Sequence, residues 1–281
     1  MAGTLYVVAT PLGNLEDVTF RALRVLREVA LIAAEDTRHS RKLLTHFDIH
    51  TPLVSYFDQV ERERAPELVK QLQMGKSIAL ICDAGTPGIA DPGFRLVRGA
   101  LEAGSSVVPV PGPSAIVAAL CASGLPTDRF VFEGFVPARA ASRAEFYRSL
   151  RSEVRTIICF ESGRRLILSL RDLLAVFGPR PIVVARELTK IFEQFVRGPV
   201  DQVLAQIETE TVRGEVTLLI APSTAAPVQR SEAEIRAALI RLRGEGMTLG
   251  ESARRLAQEW GCSRRDIYQI GLALRHDESE E

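Results

Sequence analysis

Short apolar runs alternate with stretches of helical spacing through the first 220 or so residues, and loops dense in Pro and Gly separate them. Residues 4–10, Thr-Leu-Tyr-Val-Val-Ala-Thr, are rich in β-branched and aromatic side chains and predict a first strand. Pro11-Leu-Gly-Asn14 is a turn, after which Phe20, Leu23, Leu26 and Val29 or Ala30 recur at helical spacing behind Glu16 or Asp17. A second run, Ala30–Ala34, ends at Glu35-Asp-Thr-Arg38 and completes a βαβ unit. A weaker segment, Leu53–Tyr56, and a helix near Glu63–Met74 lead to Ile78–Cys82, which is apolar throughout. That is the pattern of a strand covered on both faces of a parallel sheet. Phe94–Ala103 predicts a helix closed by Gly104, Val107–Val110 a strand, and Ser114 the start of a helix running to about Ser123.

Gly124-Leu-Pro-Thr-Asp128 reads as a hinge. Beyond it lie the aromatic run Phe130–Phe135, a helix over Arg143–Leu150, and strands at Thr156–Phe160, Pro181–Ala185 and Glu215–Ile220. Helices near Leu166–Phe177 and Val200–Thr209 separate them, and an antiparallel strand at Phe192–Arg197 would make this second sheet mixed. Pro222–Val228 has linker composition. Three helical segments follow, near Ser231–Arg243, Leu249–Trp260 and Arg264–Arg275, with a capping box at Thr248-x-x-Glu251 and a similar Ser263-x-x-Asp266. Joined at Gly261-Cys262, the last two resemble a helix-turn-helix, a pattern equally served by a packing appendage. The expected organisation is therefore an α/β protein with two α/β domains, 1–123 and 124–222, a helical appendage at 229–276 and an acidic tail at 277–281.

Three strands of the first domain end alike, in Thr10–Asn14, Gly85–Gly93 and Pro111–Ser114. In open α/β sheets ligands bind beyond the carboxyl ends of the strands, so three Pro/Gly loops there predict one crevice. Asp83 and Asp91 place two carboxylates on its central loop, with Asp91 expected mainly to fix the loop. No Gly-x-Gly-x-x-Gly, P-loop or Gly-x-Ser-x-Gly is present, so standard dinucleotide, NTP and serine-hydrolase sites are not indicated.

Composition narrows this only slightly. The hydrophobic fraction of 46% suits substantial cores, and no apolar run approaches the ~20 residues of a membrane span. The start of the chain shows no basic signal-peptide region. Net charge is zero, but four acids lie in the last five residues, so 1–276 carries +4, and all but four basic residues are arginine. The four cysteines and four histidines are scattered, with no zinc or disulfide spacing, which points to a reduced cytosolic protein without a metal.

Six motifs carry a more specific resemblance: Leu5–Asp17, Glu35-Asp-Thr-Arg38, Asp83–Gly93, Pro111-Gly-Pro-Ser-Ala115, Ser123-Gly-Leu-Pro126 and Glu187-Leu-Thr-Lys190. Together, in order over residues 4–221, they resemble the ribosomal RNA small subunit methyltransferase I family, within the tetrapyrrole-methylase-like methyltransferases. The resemblance implies two α/β domains of the tetrapyrrole methylase type around a cleft for S-adenosylmethionine. It further implies a cytoplasmic homodimer acting on 16S ribosomal RNA in the 30S subunit, at the ribose 2′-oxygen of a decoding-region cytidine. By motif, Leu12, Gly13, Thr86, Pro87, Ile89, Ser114 and Ala115 would line the cofactor, and Phe160, Glu161, Arg186 and Glu187 would close its adenosine side. Glu35, Asp36 and Asp83 are the candidate proton acceptors, with Arg38 orienting a carboxylate or gripping phosphate. Ser162-Gly-Arg-Arg165 departs from the family's usual His-containing turn, and Cys82 and Ala90 stand where serine is common. Two other readings stay open: a tetrapyrrole-type small-molecule methylase and a non-catalytic ribosome-binding module.

Overall fold

A computed structural model of the chain describes residues 2–209, 212, 214–223, 231–260 and 263–277. The linker beyond Ser223, the Gly261-Cys262 turn and the acidic tail beyond Asp277 lie outside the described residues.

The first half is built from β1 (Thr4–Val8), α1 (Phe20–Glu28), β2 (Leu31–Ala34), α2 (Thr37–His46), β3 (Leu53–Ser55), α3 (Asp58–Gln73), β4 (Ile78–Ile81), α4 (Phe94–Glu102), β5 (Ser106–Val110) and α5 (Ala115–Cys121). Its sheet is wholly parallel, in the order β3-β2-β4-β1-β5. Every residue of β4 is buried, because helices cover both faces. On one face Val25, Leu26 and Leu44 pack against Ile32, Ile81 and Val110; on the other Leu68, Leu72 and Leu96 pack against Leu5, Ile78 and Leu80. Continuous apolar strands are what two covered faces require.

The second half adds β6 (Phe130–Phe135), α6 (Ala140–Ser149), β7 (Thr156–Ser162), α7 (Gly163–Phe177), β8 (Pro181–Arg186), β9 (Gln194–Pro199), α8 (Val200–Ile207) and β10 (Glu215–Ile220). Its sheet runs β6-β7-β10-β8-β9, with β6 and β7 parallel and the other neighbours antiparallel, the mixed sheet that the Phe192–Arg197 segment anticipated. α5 joins the two sheets: Ile116, Ala119 and Leu120 share a buried cluster with Ile158, Val183, Ala185 and Leu219. Arg197 reinforces the joint, donating from Nε to the Ser123 carbonyl at 3.1 Å and from Nη2 to the Ala122 carbonyl at 2.6 Å.

Residues 1–146 and 156–221 form one compact unit; a second comprises 147–155 together with 222–281. In the second, α9 (Glu232–Gly244), α10 (Leu249–Trp260) and α11 (Arg264–Asp277) bury Ile235, Leu239, Leu242, Leu249, Leu256 and Ile267 against one another. The Thr248–Glu251 capping box forms in both directions, at 3.3 and 2.9 Å, and a second box forms at Ser231 and Glu234. The Ser263 hydroxyl caps the Asp266 N–H at 3.4 Å.

One helix was not anticipated. Glu35–Arg38 reads as a strand end, yet Asp36 caps a ten-residue helix, α2, by accepting from Arg38 N–H at 2.8 Å. Only Ser40, Leu43 and Leu44 of it are buried, so the apolar stripe is too narrow to register as helical periodicity.

Candidate functional site

The three Pro/Gly loops meet, because β4, β1 and β5 are neighbours in the sheet. Thr10 and Gly85 exchange backbone hydrogen bonds of 2.8 and 3.0 Å, Thr10 Oγ1 donates to the Cys82 carbonyl at 3.0 Å, and Thr86 Oγ1 donates to the Pro113 carbonyl at 3.1 Å. Gly85 has φ +84°, and a Cβ there would press on Leu12 at 3.3 Å. Glu61 of α3 secures the far end of the central loop. Its Oε1 accepts from Gly93 N–H at 3.0 Å, Arg95 N–H at 3.3 Å and the hydroxyl of fully buried Tyr56 at 3.0 Å.

These loops form one wall of a cavity of about 380 Å³, with Leu12, Thr86, Ile89, Ser114, Ala115 and Ile116 on it. The second sheet supplies the other wall through Phe135, Phe160, Ala185, Glu187, Leu188, Lys190 and Val216. Non-glycine residues at positive φ cluster here: Ala90 at 62°, Glu187 at 51° and Thr189 at 64°. Such backbone strain collects at ligand-binding segments.

Five carboxylates, Glu35, Asp83, Asp91, Glu187 and Glu215, line the same cavity, with Lys190, paired to Glu187, as its cation. Glu35 follows β2 and Asp83 follows β4, and the two ends are stitched together. Asp83 N–H donates to Glu35 Oε2 at 3.2 Å, and Asp36 N–H donates to Asp83 Oδ1 at 3.1 Å. Burial pushes the Glu35 carboxyl above its usual range, with the Asp83 and Asp58 charges adding to the rise. Burial also lifts Asp91, to about 7, and the nearby Glu35 charge reinforces it. The Cys82 thiol lies within hydrogen-bonding reach of Asp91 and of the Ala84 carbonyl, 3.3 Å away.

The same motif-bearing segments are matched in known proteins. The model of the tetrapyrrole (corrin/porphyrin) methylases matches residues 4–204. A protein of Synechocystis sp. named ribosomal RNA small subunit methyltransferase I is 48% identical over 279 residues, 98% of this chain and 99% of that one. Its namesake from Pseudomonas aeruginosa is 46% identical over 96% of this chain and 97% of its own length. The chain belongs to the ribosomal RNA small subunit methyltransferase I family. Its fold is that of the wider methylase group: the crystal structure of uroporphyrin-III C-methyltransferase from Thermus thermophilus, complexed with S-adenosyl homocysteine, superposes with a TM-score of 0.54 at 21% identity. It covers 78% of this chain and 97% of that one.

Of the residues expected to serve this methyltransferase family's site, Leu12, Glu35, Asp83, Thr86, Ile89, Ser114, Ala115, Phe160 and Glu187 border the cavity. The others stand behind it or beside it. Gly13 leaves room for the stem of Lys190, which reaches Glu187 at 3.1 Å. Pro87 continues the central loop between two of its lining residues. Glu161 is fully buried; its Oε1 accepts from Arg165 at 2.7 Å and Ser162 N–H at 2.7 Å. Arg186 donates to Gln194 across the β8–β9 ladder. Asp36 caps α2 and pairs with Arg38 at 3.2 Å, and that arginine side chain is 89% exposed. Two further acids line the cavity: Asp91, expected mainly to fix the loop, and Glu215, which no motif singles out. Asp91 looked like a turn former beside Pro92, and Glu215 looked like the first residue of an ordinary strand.

Proposed function

We propose that the protein transfers a methyl group from S-adenosylmethionine to the ribose 2′-oxygen of a cytidine in the decoding region of 16S ribosomal RNA. The observation that carries this reading is the convergence of the motif-bearing loops on one acid-lined cavity, in a chain nearly half identical to relatives named ribosomal RNA small subunit methyltransferase I.

The residues present suit the cofactor. The cavity falls in the size range of small-molecule sites. Gly85 supplies a cradle that a Cβ would fill, and the loop is tied to its neighbours through the Gly85 backbone, bonded to Thr10, and the Thr86 hydroxyl, bonded to the Pro113 carbonyl. Leu12, Ile116, Leu188 and Phe160 offer apolar faces for a nucleoside, and five carboxylates against one lysine give a field that favours a cation. Leu12, Gly13, Thr86, Pro87, Ile89, Ser114 and Ala115 would hold it from the first sheet, with Phe160 and Glu187 opposite and Glu161 and Arg186 as their support. When bound, S-adenosylmethionine supplies an electrophilic methyl group on a positively charged sulfur.

The chain's own task is then alignment and removal of one proton. Rigid loops on both walls fix the attack geometry, a contribution on the order of 7–11 kcal/mol in well-oriented reactions. The attacking hydroxyl is a weak acid, and a carboxylate whose pKa lies near working pH is a suitable acceptor. Asp91, with Glu35 beside it, takes the proton as the oxygen–carbon bond forms. Asp83 holds Glu35 in place through its N–H, while Asp36 and Arg38 serve the start of α2.

The protein is further read as a cytoplasmic homodimer. Ile191 and Phe192, 95% and 81% exposed next to Lys190, are the apolar side chains that a second copy would cover; light scattering at micromolar concentration tests this, a monomer mass refuting it. No described helix is long and apolar enough to cross a membrane. For the reaction, the test is incubation with labelled S-adenosylmethionine and 30S subunits from a strain lacking the modification. Label on the 2′-oxygen of a decoding-region cytidine is expected. Label on a base, or on a free precursor corrin and not on subunits, overturns the proposal.

A further inference from the structure

An acid-lined cavity repels a polyanion, so an RNA substrate needs cations at its rim. Several surface arginines are engaged by acids of their own helices. Arg24 with Glu28, Arg98 with Glu102 and Arg64 with Glu67 form pairs of 2.8, 2.7 and 3.0 Å within their own helices.

α2 is built differently. Its sequence, TRHSRKLLTH, contains no acid and five basic or histidine residues. With Ser40, Leu43 and Leu44 facing inward, Arg38, Arg41, Lys42, Thr45 and His46 are exposed and line one shallow groove. Arg38 is held by Asp36. Among the described residues neither Arg41 nor Lys42 has an ion-pair or hydrogen-bond partner. Like charges three and four residues apart weaken a helix, and an anion laid along the groove relieves that repulsion. The helix begins at the cavity: Glu35, one residue before its cap, is a lining residue, and the cap's own N–H bonds to Asp83. From Arg38 to Thr45 the groove runs roughly 10 Å, the span of about two or three phosphates along one strand.

We propose that the solvent face of α2 cradles the phosphate backbone of the RNA strand next to the target ribose, with Arg41 and Lys42 as its free charges. The proposal rests on the RNA methyltransferase reading above. It adds the surface that holds the substrate rather than the cofactor.

The test compares Arg41→Gln/Lys42→Gln with Arg24→Gln/Arg98→Gln, which removes the same charge from ion-paired positions. Each protein is titrated with unmodified 30S subunits and with a labelled oligoribonucleotide of the decoding region, across about 50 to 200 mM salt. S-adenosylmethionine affinity is followed by calorimetry. The α2 variant is expected to bind RNA about 10-fold more weakly or worse, with a salt slope shallower by about 1 to 2, and to keep its cofactor affinity. The control pair should stay within about twofold of wild type, and Arg41→Lys/Lys42→Arg should recover binding, since phosphate contact needs the charge more than the exact head group. Unchanged RNA affinity in the α2 variant, or equal losses in the two glutamine pairs, overturns the proposal while leaving the methyltransferase reading standing. A wild-type protein that binds anionic phospholipid vesicles but neither RNA nor subunits overturns both.

Discussion

At the scale of single residues, Asp91 carries the most distinctive chemistry. Burial, reinforced by the Glu35 charge, lifts its carboxyl to about 7, against the hydrogen bond from the Cys82 thiol, which pulls it down. Asp91→Asn should lower the single-turnover methylation rate by about 10²- to 10⁴-fold. In the wild type that rate should rise with pH through about 7, and the variant should lose the rise. The stability consequence has the opposite direction. Unfolded, Asp91 titrates near the ordinary aspartate value of 3.8, so between there and about 7 the folded protein binds the extra proton. Stability therefore falls as pH rises through that window, by roughly 1–2 kcal/mol once solvent screening of a partly exposed group is allowed for. Urea titrations at both ends of the window should show the fall in wild type and a smaller one in Asp91→Asn. Arg165 is a second decisive residue. In the Ser162-Gly-Arg-Arg165 turn it supplies a guanidinium to fully buried Glu161, at 2.7 Å. Arg165→Ala strands that carboxylate and should cost about 3 kcal/mol, read by denaturant midpoint; a fall below about 1 kcal/mol would mean that water replaces the partner.

At the scale of elements, the loops and the helices differ in how far they can be read from sequence. Gly85–Gly93 is legible because Pro and Gly constrain the backbone directly, and strands such as Ile78–Ile81 are legible because both faces are buried. α2 is not legible, since its burial comes from three residues on a helix that otherwise faces water. The second sheet's share of the site was only half visible: the Glu187–Lys190 motif was recognised, but Glu215 enters through the β10 register against β7 and β8, which no local pattern encodes. The place of Asp91 at the cavity is hard to read for a related reason. Its role depends on the Glu35 and Cys82 side chains, 56 and 9 positions earlier, rather than on its Pro-Gly neighbours. The loop's tertiary anchor, Glu61, makes its own prediction. Glu61→Ala removes the acceptor for two backbone N–H groups and the buried Tyr56 hydroxyl. A destabilisation of about 2–3 kcal/mol is expected by thermal unfolding, with weaker cofactor binding by calorimetry. Loss of stability with cofactor affinity intact would show that the loop keeps its shape without this anchor.

At the scale of the whole molecule, the cavity exists only while the two sheets keep their spacing. α5 and Arg197 set that spacing, through a shared apolar cluster and two hydrogen bonds to the end of the helix. Arg197→Ala should destabilise the protein by about 1–3 kcal/mol and weaken cofactor binding, although the arginine is not among the cavity's lining residues. Arg197→Lys, which can satisfy one carbonyl, should fall between. Equal cofactor affinity in all three proteins would show that apolar packing alone holds the walls apart.

The strand order has a consequence for how the protein comes into being. β1 lies between β4 and β5, pairing Leu5 with Ile78 and Thr4 with Ser106. As the chain leaves the ribosome, its first strand therefore waits unpaired while most of the first half is still being synthesised. Long-range parallel pairing of this kind is slow and leaves sticky edges exposed. Even a completed first sheet presents half a cavity, because Glu215, Val216 and Thr217 arrive more than a hundred residues after Val110. Nascent chains cannot hold the methyl donor before then, so competence arrives as a late, single event in the birth of the molecule.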